Sequence, residues 1–363
     1  MDAVNEAMVR AALQQIVDDE KGQDIVSLGM VSGIVVKGGH VAFSLETTPA
    51  HAAKMEPLRK RAEQHVHSLP GVLTVSAVLT AERAPPPPPP RIGGHGSGSA
   101  EPLLTGIGAV IAVASGKGGV GKSTTAVNLA LALKNLGLKV GLFDADIFGP
   151  SQPRMLGIAD QKPTSLDGKT MQPILAHGIS VMSIGFMLPE EAPVVWRGLM
   201  VMGALEQLMR DVDWGPLDVM VIDMPPGTGD TQLTISQRVK LAGAVIVSTP
   251  QDIALLDARR GLNMFRKVNV PVLGIIENMS LYVCPNCGHE AHIFGHGGAR
   301  ADALRLGVDF LGELPLDMAL RLSGDDGTPI VAADPTGALA LAYRGIAEKI
   351  NAKLQDLHAE KDR

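Results

Sequence analysis

Cysteine is scarce in this chain of 363 residues, which has two. Two thiols cannot build a disulfide framework, so the stapled secreted scaffolds are excluded. Aromatic residues amount to 3%, and a large core must therefore come from Leu, Val, Ile, Ala and the 16 Met. Basic charge is not in excess. The formal net charge is −6 and no basic stripe with interleaved aromatics appears, which predicts no nucleic-acid partner. No apolar run approaches the ~18 residues of a membrane span. The opening Met1-Asp2-Ala3-Val4-Asn5-Glu6 has neither the basic nor the apolar region of a secretory signal. Together these absences predict a cytoplasmic chain with no membrane partner. What remains is an ordinary globular composition, 45% hydrophobic and 19% charged, in a length that suits two domains.

The domain boundary is written in proline. Pro85 to Pro90 are six in a row, followed by Arg91-Ile92-Gly93-Gly94-His95-Gly96-Ser97-Gly98-Ser99. The first part predicts a stiff polyproline II rod and the second a flexible tether. The expected division is a small α+β domain over 1–83, a linker over 84–104, and a larger domain over 105–363. In the small domain, apolar spacing predicts a helix from Ala3 to Asp18. Strands are expected over Ile25–Val36 and His40–Leu45 around Lys37-Gly38-Gly39, then a helix over Pro57–Val66 with Pro57 near its first turn, and a strand over Leu73–Leu79. His51, His65 and His67 read as solvated surface. The larger domain alternates strands and helices, with strands expected over Val110–Ala114, Val140–Asp144, Val219–Asp223, Ala244–Ser248, Val272–Glu277 and Phe310–Leu314. Several are apolar throughout, as strands covered on both faces must be. This predicts an α/β domain with a doubly wound, mostly parallel sheet and ligands at the carboxyl ends of its strands. The tail from Leu339 to Arg363 mixes both charges and reads as a solvated capping helix.

Between the first expected strand and the helix after it lies Gly116-Lys117-Gly118-Gly119-Val120-Gly121-Lys122-Ser123-Thr124. It fits G-x-x-x-x-G-K-[ST], the phosphate-binding loop, in the strand–loop–helix context that the loop needs. Glycines let backbone N–H groups turn toward an anion, and the helix N-terminus adds positive partial charge. Lys122 would reach the β- and γ-phosphates of ATP, and the Ser123 hydroxyl would ligate Mg²⁺. Two later strands end in acids. One gives Asp144-Ala145-Asp146. The other gives Asp223-Met224-Pro225, followed by Pro226-Gly227-Thr228-Gly229-Asp230. A P-loop NTPase needs a carboxylate near Mg²⁺ and a loop that senses the γ-phosphate. Asp223 fits the first role, through water, and Pro226 to Asp230 fit the second, with glycines as hinges.

Both cysteines sit in Cys284-Pro285-Asn286-Cys287-Gly288-His289. A C-x-x-C pair is a half-site for zinc or for an iron–sulfur cluster. A four-iron cluster takes four thiolates, which a symmetric dimer of this chain would supply. Zinc would instead be held within one chain by Cys284, Cys287, His289 and His292, with His296 in reserve. Spacing alone leaves both open.

The run G-K-G-G-V-G-K-S-T resembles the deviant Walker A motif of the SIMIBI ATPases, a class that includes the Min-system and partition ATPases and the nitrogenase iron protein. In that class the extra lysine, here Lys117, reaches across a homodimer to the partner's nucleotide. Asp144 and Asp146 match the class's D-x-D near Mg²⁺, whose second acid is linked to water activation. Within the class, the chain over roughly 105–350 resembles the Mrp/ApbC iron–sulfur carriers. The resemblance rests on Asp144 to Ser151, Val195-Trp196-Arg197-Gly198, Asp223 to Asp230, Thr249 to Asp252, Glu277-Asn278-Met279-Ser280 and the cysteine pair. It implies ATP binding and hydrolysis, and a [4Fe–4S] cluster bridging a homodimer. It also implies exchange with apo iron–sulfur clients and a cluster-assembly scaffold. Asn278 matches a position associated with adenine, and Pro315-Leu316-Asp317 a segment beside the base. The first domain resembles the small iron–sulfur assembly domain that often precedes this ATPase, except that His51 stands where a cysteine is common. Rival readings are a positioning ATPase and a zinc-stabilised, nucleotide-dependent scaffold. A nitrogenase-type reductase would need a different cysteine arrangement.

Overall fold

The computed structural model describes residues 4–18, 22–37, 39–47, 52–81, 103–104, 106–165, 167–187 and 198–361. Contacts divide the chain into Met1–Ser99 and Ala100–Arg363, and each unit is taken by itself. Nearly all of the proline linker, together with His51 and Val195 to Arg197, lies outside the described residues.

In the first unit, Asn5 caps α1 (Glu6–Leu13) by accepting the Met8 N–H at 3.0 Å. β1 (Val31–Lys37) and β2 (His40–Thr47) pair antiparallel, with Gly39 at φ 83° in their turn. After α2 (Ala52–His67), β3 (Thr74–Ala81) adds to β2 in parallel. Val9, Leu13, Ile25, Phe43, Leu45, Ala62 and Val66 form the core. Three expectations are corrected. The first helix ends at Leu13, five residues before Asp18. The strand begins six residues later than Ile25, because the Asp24 carboxylate accepts the Val26 and Ser27 N–H groups and bends the chain there. Pro57 lies inside α2 rather than in its first turn. The helix continues across it while Leu58, Ala62 and Val66 bury a common face.

The second unit runs β4 (Ile107–Ala114), α3 (Lys122–Asn135), β5 (Val140–Asp144), α4 (Gln152–Met155), β6 (Ile174–Ala176), β7 (Ile179–Ser183), α5 (Gly198–Arg210) and β8 (Leu217–Asp223). It continues with α6 (Asp230–Arg238), β9 (Gly243–Ser248), α7 (Asp252–Lys267), β10 (Val272–Asn278), β11 (Tyr282–Val283) and β12 (Glu290–Ala291). It ends with α8 (Gly298–Leu306), β13 (Phe310–Leu314), α9 (Met318–Asp325), α10 (Ile330–Ala333) and α11 (Ala338–Lys361). Eight strands form one sheet in the order β13-β10-β9-β4-β8-β5-β7-β6, and only β6 runs antiparallel to its neighbour. β5 and β9, apolar up to their last residue, are buried along their whole length, as strands covered on both faces are. The β6–β7 hairpin is absent from the sequence reading. Its strands are short and its turn, His177-Gly178, has both residues at positive φ. The connection from β4 crosses to β5 and that from β8 crosses the other way to β9, so the adjacent strands β4 and β8 send their connections in opposite directions and open a crevice at their carboxyl ends.

α3 leaves that crevice and is encased: residues 125–133 are all buried. Asn128 in its middle donates to Thr124 O at 2.9 Å and accepts the Val331 N–H at 3.1 Å. α11 packs on α3 and β13. The expected solvated helix is therefore half core, with Tyr343, Ile346, Ala347, Ile350 and Leu354 buried. No helix among the described residues is long and apolar enough to cross a membrane.

Candidate nucleotide site and cysteine ribbon

The glycine loop joins β4 to α3 at the crevice. Gly119 and Gly121 take φ of 79° and 82°, backbone that only glycine adopts without strain. A Cβ on Gly118 or Gly119 would meet nothing within 4 Å, so the loop's front is an open cradle. Its back is closed. A Cβ on Gly116 would lie 2.1 Å from the Asp257 carbonyl carbon of α7, and one on Gly121 2.2 Å from Asn278 Nδ2. Asn278, at the end of β10, donates that amide to Val120 O at 2.8 Å. It thus braces the loop, while its Oδ1 is buried without a partner. Asp317 caps α9 by accepting the Ala319 N–H at 2.7 Å, and the Leu316 N–H donates to Leu281 O at 2.8 Å.

Asp144 and Asp223 end the neighbouring strands β5 and β8 directly opposite each other. Both are fully buried. The Lys122 ammonium pairs with Asp223 Oδ1, donates to Ser123 Oγ at 3.1 Å and lies 3.9 Å from Asp146 Oδ2. Asp144 accepts the N–H groups of Asp146, Ser151 and Gln152 and the Ser183 hydroxyl, all within 3.2 Å. Burial, and then the adjacent Asp223 carboxylate, push the Asp144 carboxyl up to about 7 against those donors and Lys122. Burial also raises Asp146, with Lys122 opposing. One cation thus stands among three carboxyls, two of them fully buried. The Gly227 N–H of the 226–230 segment donates to Ser115 O at 3.0 Å, tying that segment to the strand before the glycine loop. Lys117 makes no ion pair or hydrogen bond through its ammonium with any described residue.

Two further residues belong to this site, and sequence reasoning missed them. Gln152 is buried and donates to Asp223 Oδ2 at 2.8 Å and to Ser123 O at 3.1 Å. Gln232 is buried on α6 and donates to Pro225 O. Each leaves its Oε1 buried and without a partner, as does the Ser151 hydroxyl. Four orphaned polar atoms around one cradle, counting Asn278 Oδ1, are what a site built for a hydrated ion and a polar ligand would show.

The cysteines lie on the ribbon β11–β12, four residues past the end of β10. Cys284 is half-buried and Cys287 exposed. The Cys284 N–H donates to His289 O at 2.9 Å, and the Gly288 N–H to Cys284 O at 2.8 Å, with Gly288 at φ 69°. The Asn286 N–H, then the Cys287 N–H and thiol, hold the Cys284 pKa below the ordinary thiol value. The single-chain zinc set is not assembled. Among the described residues, the ligating side chains that gather within 4.8 Å are Glu277, His296 and Glu313, with no cysteine. His292 instead stacks on His296 at 4.3 Å and bonds Ser280 O through Nδ1. The thiolate is the nucleophile, so alkylation of Cys284 in the Cys287→Ser variant is expected to reach half its maximal rate below pH 9.0, the unperturbed value. An iodoacetamide pH series read by mass spectrometry checks this, and a midpoint at or above 9.0 contradicts it.

A glycine loop at a sheet's switch point, backed by strand-end carboxylates, defines a P-loop NTPase. Residues 106–351 match the family described as NUBPL iron-transfer P-loop NTPase (ParA), and residues 6–77 match the iron-sulfur cluster assembly protein family. The chain belongs to the NUBPL iron-transfer P-loop NTPase family. It is 56% identical over 247 residues to the iron-sulfur cluster carrier protein of Pseudomonas fragi, covering 68% of this chain and 86% of that protein. It is 43% identical to the carrier protein of Synechocystis over 95% of this chain and 97% of that one. A solved nucleotide-binding protein of Archaeoglobus fulgidus, in complex with ADP, is 42% identical with a TM-score of 0.55, covering 61% of this chain and 87% of that chain.

Proposed function

We propose that this protein is an ATP-hydrolysing iron–sulfur cluster carrier that holds a labile [4Fe–4S] cluster between two subunits and passes it to apo iron–sulfur proteins. The carrying observation is the pair Cys284 and Cys287 on an accessible ribbon with no third ligand among the described residues of their own chain. Two thiolates leave a cubane half ligated, and a second copy completes it. An incomplete, accessible ligand set suits cargo that must leave, whereas a closed four-ligand site suits a structural ion. The cluster-assembly scaffold that would load the cargo, and the clients that would accept it, must approach this ribbon.

The nucleotide machinery supports the reading. The open cradle at Gly118 and Gly119 and the orphaned polar atoms fit a triphosphate with a hydrated Mg²⁺. Ser123 and, through water, Asp223 would hold the ion, which neutralises phosphate charge. Lys122 is positioned to exchange its bond to Asp223 for the phosphates. Asp146, half-buried beside it, would orient the attacking water. The Lys117 ammonium, unpaired among the described residues, would meet a partner's nucleotide, which would make turnover depend on the homodimer. The 226–230 segment, bonded to Ser115, would report occupancy.

Anaerobic reconstitution of wild type and of Cys284→Ala/Cys287→Ala tests this. About four irons and four sulfides per dimer are expected, falling to background in the double variant. About one zinc per chain without sulfide would overturn the carrier reading.

A further inference from the structure

We infer that Gln152 is a positioning residue for the metal site, holding the Asp223 carboxylate and the Ser123 backbone in one fixed arrangement. The inference rests on the nucleotide reading above. Gln152 is 0% exposed. Its single amide nitrogen donates to both residues that would hold the ion, Asp223 Oδ2 at 2.8 Å and Ser123 O at 3.1 Å. Lys122 occupies the other carboxylate oxygen, Oδ1. Each oxygen of Asp223 is therefore held by one donor. When Lys122 moves to the phosphates, Gln152 is the donor that remains, and the carboxylate keeps its plane. Its Oε1, buried with no donor, offers an acceptor to a metal-bound water, the outer-shell partner that fixes a hydrated ion.

Gln152 also joins this site to the D-x-D turn. Its backbone N–H donates to Asp144 Oδ2 at 3.2 Å, beside the Ser151 N–H at 3.1 Å. The side chain and main chain of one residue thus reach the ends of both acidic strands. Packing alone would not need an amide here. A leucine or methionine fills similar space, and an amide with one acceptor left unpaired costs stability that a hydrocarbon would not.

The test titrates Mn²⁺ into full-length, ADP-loaded wild type, Gln152→Leu and Gln152→Met, following free Mn²⁺ by electron paramagnetic resonance. ADP affinity without metal is measured beside it. The half-saturating Mn²⁺ concentration is expected to rise about 10-fold in both variants, with metal-free ADP affinity unchanged within about twofold. Superimposable titrations would overturn the inference, as would an equal loss of metal-free ADP affinity, which marks a packing role. Methionine keeps the test open should the leucine variant not fold. Failure of wild type itself to take up Mn²⁺ with ADP would sink the nucleotide reading first, and the inference with it.

Discussion

Lys122→Ala is expected to lose ATP turnover and to lower stability even when no nucleotide is present. On the proposed function, the turnover loss follows from removing the cation that would meet the phosphates, a loss of at least about 100-fold. The stability loss follows from burial. The Lys122 side chain is 7% exposed and its partner Asp223 is 0% exposed, with Asp144 buried beside them. Breaking a buried pair leaves its carboxylate uncompensated, at about 3–5 kcal/mol. In a domain of this size that lowers Tm by roughly 6–20 °C. A pH dependence should accompany it. Asp144 is raised from 3.8 to about 7 in the folded protein. Between those values the folded state holds a proton that the unfolded state releases, so stability falls as pH rises. Without Lys122, which opposes the rise at Asp144 and Asp146, those two carboxyls are pushed higher still, and the deficit should shrink as pH drops from about 7 toward 4. Thermal melts of the variant across that range, beside phosphate-release assays, check both halves. A Tm within about 2 °C of wild type at pH 7 would refute the buried-charge account.

Gly116→Ala and Gly118→Ala form a matched pair with opposite expected outcomes. At Gly116 the added methyl would lie 2.1 Å, 2.3 Å and 2.6 Å from backbone atoms of Asp257 and Ala258 in α7. Backbone in the middle of a helix cannot step aside as a side chain can, so the loop or α7 must shift. A loss of about 3 kcal/mol or more is expected. At Gly118 the methyl would meet nothing within 4 Å, and stability should stay within about 0.5 kcal/mol. On the proposed function that methyl would intrude where the phosphates sit, so ATP affinity should fall while the fold is kept. Urea unfolding and nucleotide binding on both variants decide the matter. Equal stabilities for the two would contradict the closed-back, open-front description of the loop.

The parts legible in the sequence were those encoded locally. The glycine loop is read from a run of nine residues because its backbone needs glycine at fixed steps. The central strands are read from apolar runs because both faces are covered. The β6–β7 hairpin escaped because three and five residues carry too little pattern. Gln152 escaped for a different reason. Its bond to Asp223 spans 71 residues, and the Asn278 brace on Val120 spans 158. Such contacts arise only when strand ends converge, and no spacing rule announces them. The histidines after the cysteine pair show the converse. Their spacing suits zinc, yet His292 turns to Ser280 O and packs against the His296 ring.

The encasement of α3 decides where mechanical work can be done. A helix gripped by the sheet on one side and α11 on the other, and pinned at Asn128 to α10, cannot act as a piston. It is the stator of this machine. Whatever motion the proposed ATP cycle drives would fall to parts mounted in front of it: the 226–230 segment and the strand end that leads into the cysteine ribbon.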